Sequence, residues 1–406
     1  MFFTISELDS EIVFLWLMVT RIATEEVVLL AKQFKAVAIV GPRQSGKTTL
    51  ARSVFADKPY VSLENPDTRQ FATDDPRGFL EQYPEGAIFD EAQRVPELFS
   101  YLQQILDESS QKGLFILTGS NNFLLQENIS QSLAGRIAYL YLLPFSLAEA
   151  ETAMEKPLKV EDAMYMGGYP PIYDNNISPE KWLPNYIRTY VERDVRQIKN
   201  ISNLNTFERF LKLCAGRTGQ LLNMSSLAIE AGVDSKTIAS WLSVLESSFI
   251  IHLLKPHHQN FNKRLVKMPK LFFYDTGLVC SLLGITKAAQ LTLHPLKGNL
   301  FENLVVSELV KDCFNKNLPS NIYFWRDSAG NEMDIIIDEG TSLYPVEIKA
   351  GKTITNDYFK NFQFWNKVTG TTNGAVVYAG NDLQKRSSGI TVVPWNGMGF
   401  LTKEDK

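Results

Sequence analysis

Cysteine and histidine are scarce in this chain: three cysteines (Cys214, Cys280, Cys313) and four histidines among 406 residues. The cysteines are widely separated, and no CxxC pair or Cys/His cluster occurs. That leaves no basis for a disulfide framework or a structural zinc site, and isolated thiols fit a reducing cytoplasm. Long hydrophobic runs are missing as well. Ile12–Val19 is apolar but spans only eight residues, against about 20 for a bilayer-crossing helix. No basic segment precedes it, which makes it a poor secretion signal. Met18 opens Met18-Val-Thr-Arg21 and offers a second translation start, with residues 1–17 as an upstream extension.

Charge of one sign is lacking overall, since the net value is −4. Its distribution is uneven, however. Residues 1–150 carry 12 Lys/Arg against 19 Asp/Glu, whereas residues 181–275 carry 14 against 7. An acidic front and a basic middle point to different partners for the two parts. The length predicts two or three domains, and a hydrophobic fraction of 45% with 21% charged residues is that of a globular protein.

The most informative stretch is Gly41-Pro42-Arg43-Gln44-Ser45-Gly46-Lys47-Thr48-Thr49, which fits G-x-x-x-x-G-K-[ST] without a mismatch. An apolar strand pattern, Ala36–Val40, precedes it, and a helical pattern, Thr49–Phe55, follows. The glycines let backbone N–H groups curl around an anion, and the helix N-terminus adds positive potential there. The pattern assigns Lys47 to the β- and γ-phosphates of ATP and the Thr48 hydroxyl to Mg²⁺.

Further strands are expected at Tyr60–Leu63, Gly86–Asp90, Leu114–Ser120 and Ile137–Leu143, with helical patterns between them such as Glu97–Ser109. This alternation predicts a parallel sheet covered on both faces, with ligands at the carboxyl ends of its strands. Asp90 ends an apolar strand and is expected to share the Mg²⁺ with Thr48. Glu91 is expected to be the general base. Ser120, with Asn121 second, is the candidate to sense the γ-phosphate or hold the lytic water. Arg136 is the candidate arginine at the transferred phosphate, in cis or across a homo-oligomer interface. Arg43 is another candidate for nucleotide or interface contact.

The middle of the chain reads as helical from 151 to about 215, a lid or connector that includes Trp182–Arg196. Met224–Leu245 then has helix-turn-helix form, with Gly232 ending one helix and Asp234 or Ser235 capping the next. Strand patterns at Phe249–Leu254 and Leu271–Tyr274 flank a basic loop with Lys263, Arg264, Lys267 and Lys270. Together these predict a winged helix over 216–280 that binds DNA. Lys236 and Thr237 would face bases, and the wing cations would lie on phosphates.

In the last third, Lys297–Val310 reads as an amphipathic helix, followed by strands at Tyr323–Arg326, Glu332–Ile337 and Ser342–Lys349. Asp334 and Glu347-x-Lys349 fall on adjacent strands, and the period of two puts Glu347 and Lys349 on one face. The pattern resembles the PD-(D/E)-x-K nuclease core, with Glu302 as the helix acid and Gln363 as a weaker match to a supporting glutamine. That resemblance implies a second divalent metal held by Glu302, Asp334 and Glu347, with Lys349 stabilising the developing charge.

The motifs GPRQSGKTT, IFDEAQ, LTGSNNFLL, SLAGR and Met166-Gly-Gly-Tyr-Pro-Pro171 together resemble the bacterial and archaeal AAA-type ATPases that carry a DUF4143 C-terminal region. The resemblance runs from about residue 18 over nearly the whole chain. It implies an α/β fold with a P-loop sheet of the additional-strand class, and the roles given above for Asp90 and Glu91. The expected organisation is an ATPase core over 18–150, a connector over 151–215, a winged helix over 216–280 and a nuclease-like α/β domain over 281–406. The expected function is Mg²⁺-dependent ATP hydrolysis coupled to action on DNA. The alternatives are an ATP-switched regulator with slow turnover and an ATP-gated, metal-dependent nuclease.

Overall fold

The computed structural model describes residues 19–120, 132–191, 204–257 and 266–401. Residues 1–17 with Met18, and also Asn121, Arg193, Arg196, Lys263 and Arg264, lie outside the described residues.

Three sheets follow one another along the chain. The first contains β1 (Ala36–Val40), β2 (Tyr60–Ser62), β3 (Ile88–Asp90), β4 (Phe115–Gly119) and β5 (Ile137–Tyr141) in the order β2-β3-β4-β1-β5. All its pairings are parallel. Every residue of β1, β3 and β4 is buried, as expected for strands covered on both faces. β4 stands between the phosphate-loop strand β1 and the acid-bearing strand β3, the arrangement that the additional-strand class implies. The carboxyl ends of β1, β3 and β4 therefore meet at one edge.

The second sheet is small and antiparallel: β6 (Gln220–Leu221), β7 (Ile251–Leu254) and β8 (Lys270–Phe273), ordered β6-β8-β7. Helices Leu204–Ala215, Met224–Ala231 and Ser235–Ser247 accompany it. Asn223 and Asp234 cap the last two helices through their side chains. The expected wing needs a correction at Lys270. This residue opens β8 and is 3% exposed, with its ammonium on Glu302 and Glu332. Of the four cations assigned to that loop, Lys267 is described and exposed. Thr237 also differs from its expected role, because its hydroxyl donates to the capping Asp234 at 2.8 Å.

The third sheet is mixed: β9 (Ile322–Arg326), β10 (Glu332–Asp338), β11 (Leu343–Lys349), β12 (Gly374–Tyr378), β13 (Gln384–Lys385) and β14 (Ile390–Pro394), ordered β13-β14-β12-β11-β10-β9. β9–β10–β11 are antiparallel, whereas β11–β12–β14 are parallel.

The helix Lys297–Asn315 ties the three sheets together by packing on β5, β8 and β11. It is not amphipathic, since residues on all its sides are buried, including Asn303, Ser307, Lys311 and Asn315. Such all-round burial marks a helix inside a core rather than on its surface. Asn303, Ser307 and Lys311 are paired, the latter two with Leu304 O and Phe145 O. The Asn303 amide takes Thr218 Oγ1 at 2.6 Å and exchanges two 2.8 Å bonds with the backbone of Phe273. Trp182 lies in a helix of the connector, whose expected continuation from 192 to Arg196 lies outside the described residues. The helix Pro179–Tyr186 contains Pro184 and passes into a π turn at Ile187–Val191. Among the described residues, no helix is long and apolar enough to cross a membrane.

Candidate functional site

The loop after β1 is built by local necessity. A Cβ at Gly41 would lie 2.1 Å from Leu142 O, so only glycine lets β1 pass β5 there. Gly46 has φ +91° and caps the helix Lys47–Val54. Gln44 also takes a left-handed φ of 62°, which closes the curl. Pro42 and Ser45 are buried, Arg43 is half-buried, and Gln44 and Thr49 face outward. Lys47 folds back across the loop, its Nζ donating to Pro42 O at 2.7 Å. The loop is supported from outside by the Tyr186 hydroxyl, 3.3 Å from Arg43 O. An Arg43 guanidinium nitrogen lies 4.0 Å from Glu64.

Asp90 ends β3 beside this loop. Thr48 Oγ1 donates to Asp90 Oδ1 at 2.9 Å, Tyr60 OH donates to Oδ2 at 2.8 Å, and the Thr118 hydroxyl also donates to Oδ1. Burial, followed by the bond to Asp90, pushes the Tyr60 phenol up to about 12, so Tyr60 stays a neutral donor. Thr48 and Asp90 thus present adjoining oxygens at the mouth of the loop, the hard donor set that suits Mg²⁺ once phosphate oxygens complete it. Glu91 follows with φ 55°, a left-handed turn that aims its side chain differently from that of Asp90. Its Oε2 accepts Ser120 Oγ at 3.0 Å and Gln93 Nε2 at 2.5 Å. The ends of β1, β3 and β4 therefore bring together the loop, Asp90, Glu91 and Ser120.

Arg136 is not brought there. It precedes β5 at the amino edge of the sheet, where its carbonyl accepts Ala36 N–H. The five residues of β1 put it roughly 16 Å from the phosphate-loop edge at about 3.3 Å per residue. Its guanidinium is held by Asp107 at 2.5 and 2.9 Å. The expected action in cis is overturned by this placement.

In the C-terminal sheet the sequence-predicted acids do converge, but on ammonium groups. Lys349 Nζ lies 2.5 Å from Glu347 Oε2 and 3.6 Å from Asp334 Oδ2. Lys270 Nζ lies 2.8 Å from Glu302 Oε1 and 2.5 Å from Glu332 Oε1. Asn361 donates to Glu347 Oε1 at 3.0 Å, and Ile348 N–H to Asp334 Oδ2 at 2.8 Å. Burial pushes Glu347 and Glu302 above the usual carboxylate range. Burial also opposes the charge on Lys270, but the surrounding carboxylates outweigh it and raise its pKa. Among the described residues, no group of three or more His, Cys, Asp or Glu is arranged to hold a metal ion. The donor set does not fit the second divalent metal, because cationic nitrogens already occupy the space between its carboxylates.

Sequence reasoning missed Lys270, Glu332 and Asn361 in this cluster. Gln363 is exposed, and the contact from its helix comes from Asn361 instead. The missed signal at Asn361 was position, since it lies on the helix turn facing β11. Lys270 carried no signal in the sequence, where it read as one more wing cation.

The chain is similar to known families, known proteins and solved structures. A family described as an AAA domain matches residues 33–151, and two domains of unknown function match residues 158–289 (DUF8612) and 297–398 (DUF4143). An uncharacterized protein of Mycobacterium tuberculosis is 31% identical over 322 residues, covering 78% of this chain and 70% of that protein. One from Methanocaldococcus jannaschii is 23% identical over 415 residues, covering 94% and 87%. A solved Walker-type ATPase of Pyrococcus abyssi superposes with a TM-score of 0.44 at 13% identity, covering 64% of this chain and 94% of that one. With its phosphate loop, its AAA and DUF4143 matches and its identity to the mycobacterial protein, the chain belongs to the family of AAA-type P-loop proteins with a DUF4143 C-terminal region.

Proposed function

We propose that this chain hydrolyses ATP with Mg²⁺ and couples turnover to DNA held by its middle and C-terminal regions. The observation that carries the reading is the 2.9 Å approach of Thr48 Oγ1 to Asp90 Oδ1 beside the loop lysine. The loop amides and Lys47 hold the phosphates. Mg²⁺, when bound between Thr48 and Asp90, supplies neutralisation of charge on the β- and γ-phosphates. Glu91 takes a proton from water as its oxygen attacks the γ-phosphorus. The bond to the β–γ bridging oxygen breaks, and ADP and phosphate leave. Ser120 sits where it can hold that water or Glu91. If Arg136 serves a transferred phosphate, it serves one on a second copy of the chain.

The order of helices Leu204–Ala215, Met224–Ala231 and Ser235–Ser247 with the antiparallel β6-β8-β7 sheet supports a winged helix. Exposed Lys236 lies in the first turn of the helix that would enter the major groove. The β9–β12 arrangement with Asp334, Glu347 and Lys349 supports a nuclease-like fold, used for gripping rather than cutting because its carboxylates are internally paired. A second reading, the slow ATP-dependent switch, is favoured by one observation. Glu91 Oε2 is already engaged by Ser120 and Gln93, so the base must be released before it can act.

The test measures ATP turnover with and without DNA for wild type, Lys47→Ala and Glu91→Gln, and DNA cleavage with Mg²⁺ or Mn²⁺ for wild type and Glu347→Ala. No turnover by wild type in either condition refutes the ATPase reading. Turnover unmoved by DNA supports the switch, and cleavage that Glu347→Ala abolishes overturns the gripping assignment.

A further inference from the structure

Arg21 lies 20 positions before the phosphate loop, yet its side chain touches the loop backbone. Its Nη1 donates to Ser45 O at 2.7 Å, its Nη2 to Leu143 O at 2.7 Å and its Nε to Glu149 Oε1 at 2.9 Å. The guanidinium also stacks over Phe145 at 5.0 Å. It is 6% exposed. Glu149 is fixed in turn by Ile22 N–H at 2.7 Å and Ser146 N–H at 2.8 Å.

The Ser45–Gly46 peptide is the one this contact controls. Because the next residue is a glycine at φ +91°, sterics alone leave that peptide free to rotate. A trans peptide points its N–H away from its C=O. Anchoring Ser45 O outward on Arg21 therefore aims Gly46 N–H into the hollow where phosphate is cradled. The effect is geometric rather than electrostatic, since the charge of Arg21 is balanced by Glu149 at 2.9 Å.

We propose that Arg21 is the positioning residue that sets the Gly46 amide for the polyphosphate, with Glu149 holding it in place. This rests on the nucleotide-binding reading of the loop. Lysine at position 21 keeps a charge for Glu149, but its three donors share one nitrogen and do not reproduce the spread of Nε, Nη1 and Nη2 over Glu149, Ser45 O and Leu143 O. Arg21→Lys is therefore expected to weaken ADP and ATP binding by roughly 10- to 100-fold, the worth of one hydrogen bond to a charged group. AMP, which lacks the β-phosphate, is expected to change much less.

The assay is titration of fluorescent ADP and AMP analogues alongside thermal melting. A merely structural role lowers the melting temperature and leaves the ADP-to-AMP affinity ratio of the folded protein unchanged. If Arg21→Lys does not fold, the double variant Arg21→Gln with Glu149→Gln, which strands no buried charge, is read in the same way. A wild-type ADP-to-AMP ratio in whichever variant folds overturns the assignment. Failure of the wild-type protein to bind ADP refutes the nucleotide reading instead, and Lys47→Ala is the control for loop-dependent binding.

Discussion

Replacing Lys270 with methionine keeps most of the side-chain volume and removes the one ammonium between Glu302 and Glu332. In the wild type this nitrogen lies 2.8 and 2.5 Å from those carboxylates and is nearly inaccessible. Breaking a buried pair by deleting one partner costs about 3–5 kcal/mol. The cost depends on pH. Burial pushes the Glu302 carboxyl well above the usual carboxylate range even with Lys270 present, outweighing the lysine. A carboxyl raised in the fold contributes stability below its unfolded value of about 4.5, and that stability is lost as pH rises through the folded value. Without Lys270 the folded value rises further, so the deficit of the variant grows from pH 6 to pH 8. Hydrogen exchange of β8 and β10 reads it locally. Protection at pH 8 should fall by roughly a hundredfold to several-thousandfold, at about 1.4 kcal/mol per decade, and by less at pH 6. Adding Glu302→Gln and Glu332→Gln should recover most of the loss, since no buried carboxylate is then left unpaired and Arg326, which loses Glu332, is partly exposed. A loss below tenfold at pH 8, or one as large at pH 6, would refute the ion-pair account.

Glu91→Gln should retain nucleotide binding while turnover drops by about 10²–10⁴, the worth of a general base; a drop under tenfold in steady-state assays would remove Glu91 from that role. Thr48→Ala and Asp90→Asn should each raise the Mg²⁺ concentration needed for half-maximal turnover, and an unchanged Mg²⁺ titration for both would count against the shared site. Gly168→Ala places a Cβ 2.2 Å from Phe145 O and should cost about 1–3 kcal/mol or more; an unshifted melting temperature would contradict the packing. Asp275 accepts Gly168 N–H at 2.6 Å and Leu278 N–H at 3.0 Å, and burial raises its pKa. Because the wild-type carboxylate is penalised as pH rises, Asp275→Asn should be less destabilising at pH 8 than at pH 5 by urea denaturation, and the opposite order would show the sign to be wrong.

The nucleotide half of the molecule was legible because its chemistry is local in sequence. A glycine that must pass Leu142, a glycine at positive φ and a lysine at a helix start lie within nine positions. Asp90, Glu91 and Ser120 follow from the rule that parallel strands present their carboxyl ends together. The expectation for Arg136 in cis failed for the same reason read backwards. It precedes its strand, and the parallel register of β1 with β5 puts it at the far edge. Arg21 escaped because its contacts cross 24 to 128 positions, and nothing in Val19–Ile22 distinguishes it from a surface arginine.

The C-terminal cluster shows what a linear pattern leaves undecided. Glu302, Asp334, Glu347 and Lys349 occur in the expected order and do gather on one helix and two strands. Whether carboxylates so gathered take a divalent cation depends on which positive charge reaches them at lower cost. An ammonium delivered by the fold also loses its water, and here the surrounding carboxylates outweigh that cost. Here the choice is made by Lys270, 32 positions before Glu302 and in a different sheet, whose strand β8 lies against the helix Lys297–Asn315. The same contact that fills the acid cluster therefore fastens the middle region to the C-terminal one. A protein that used these acids for metal chemistry would have to part with that joint, and the burial of Lys270 indicates that this chain has kept the joint.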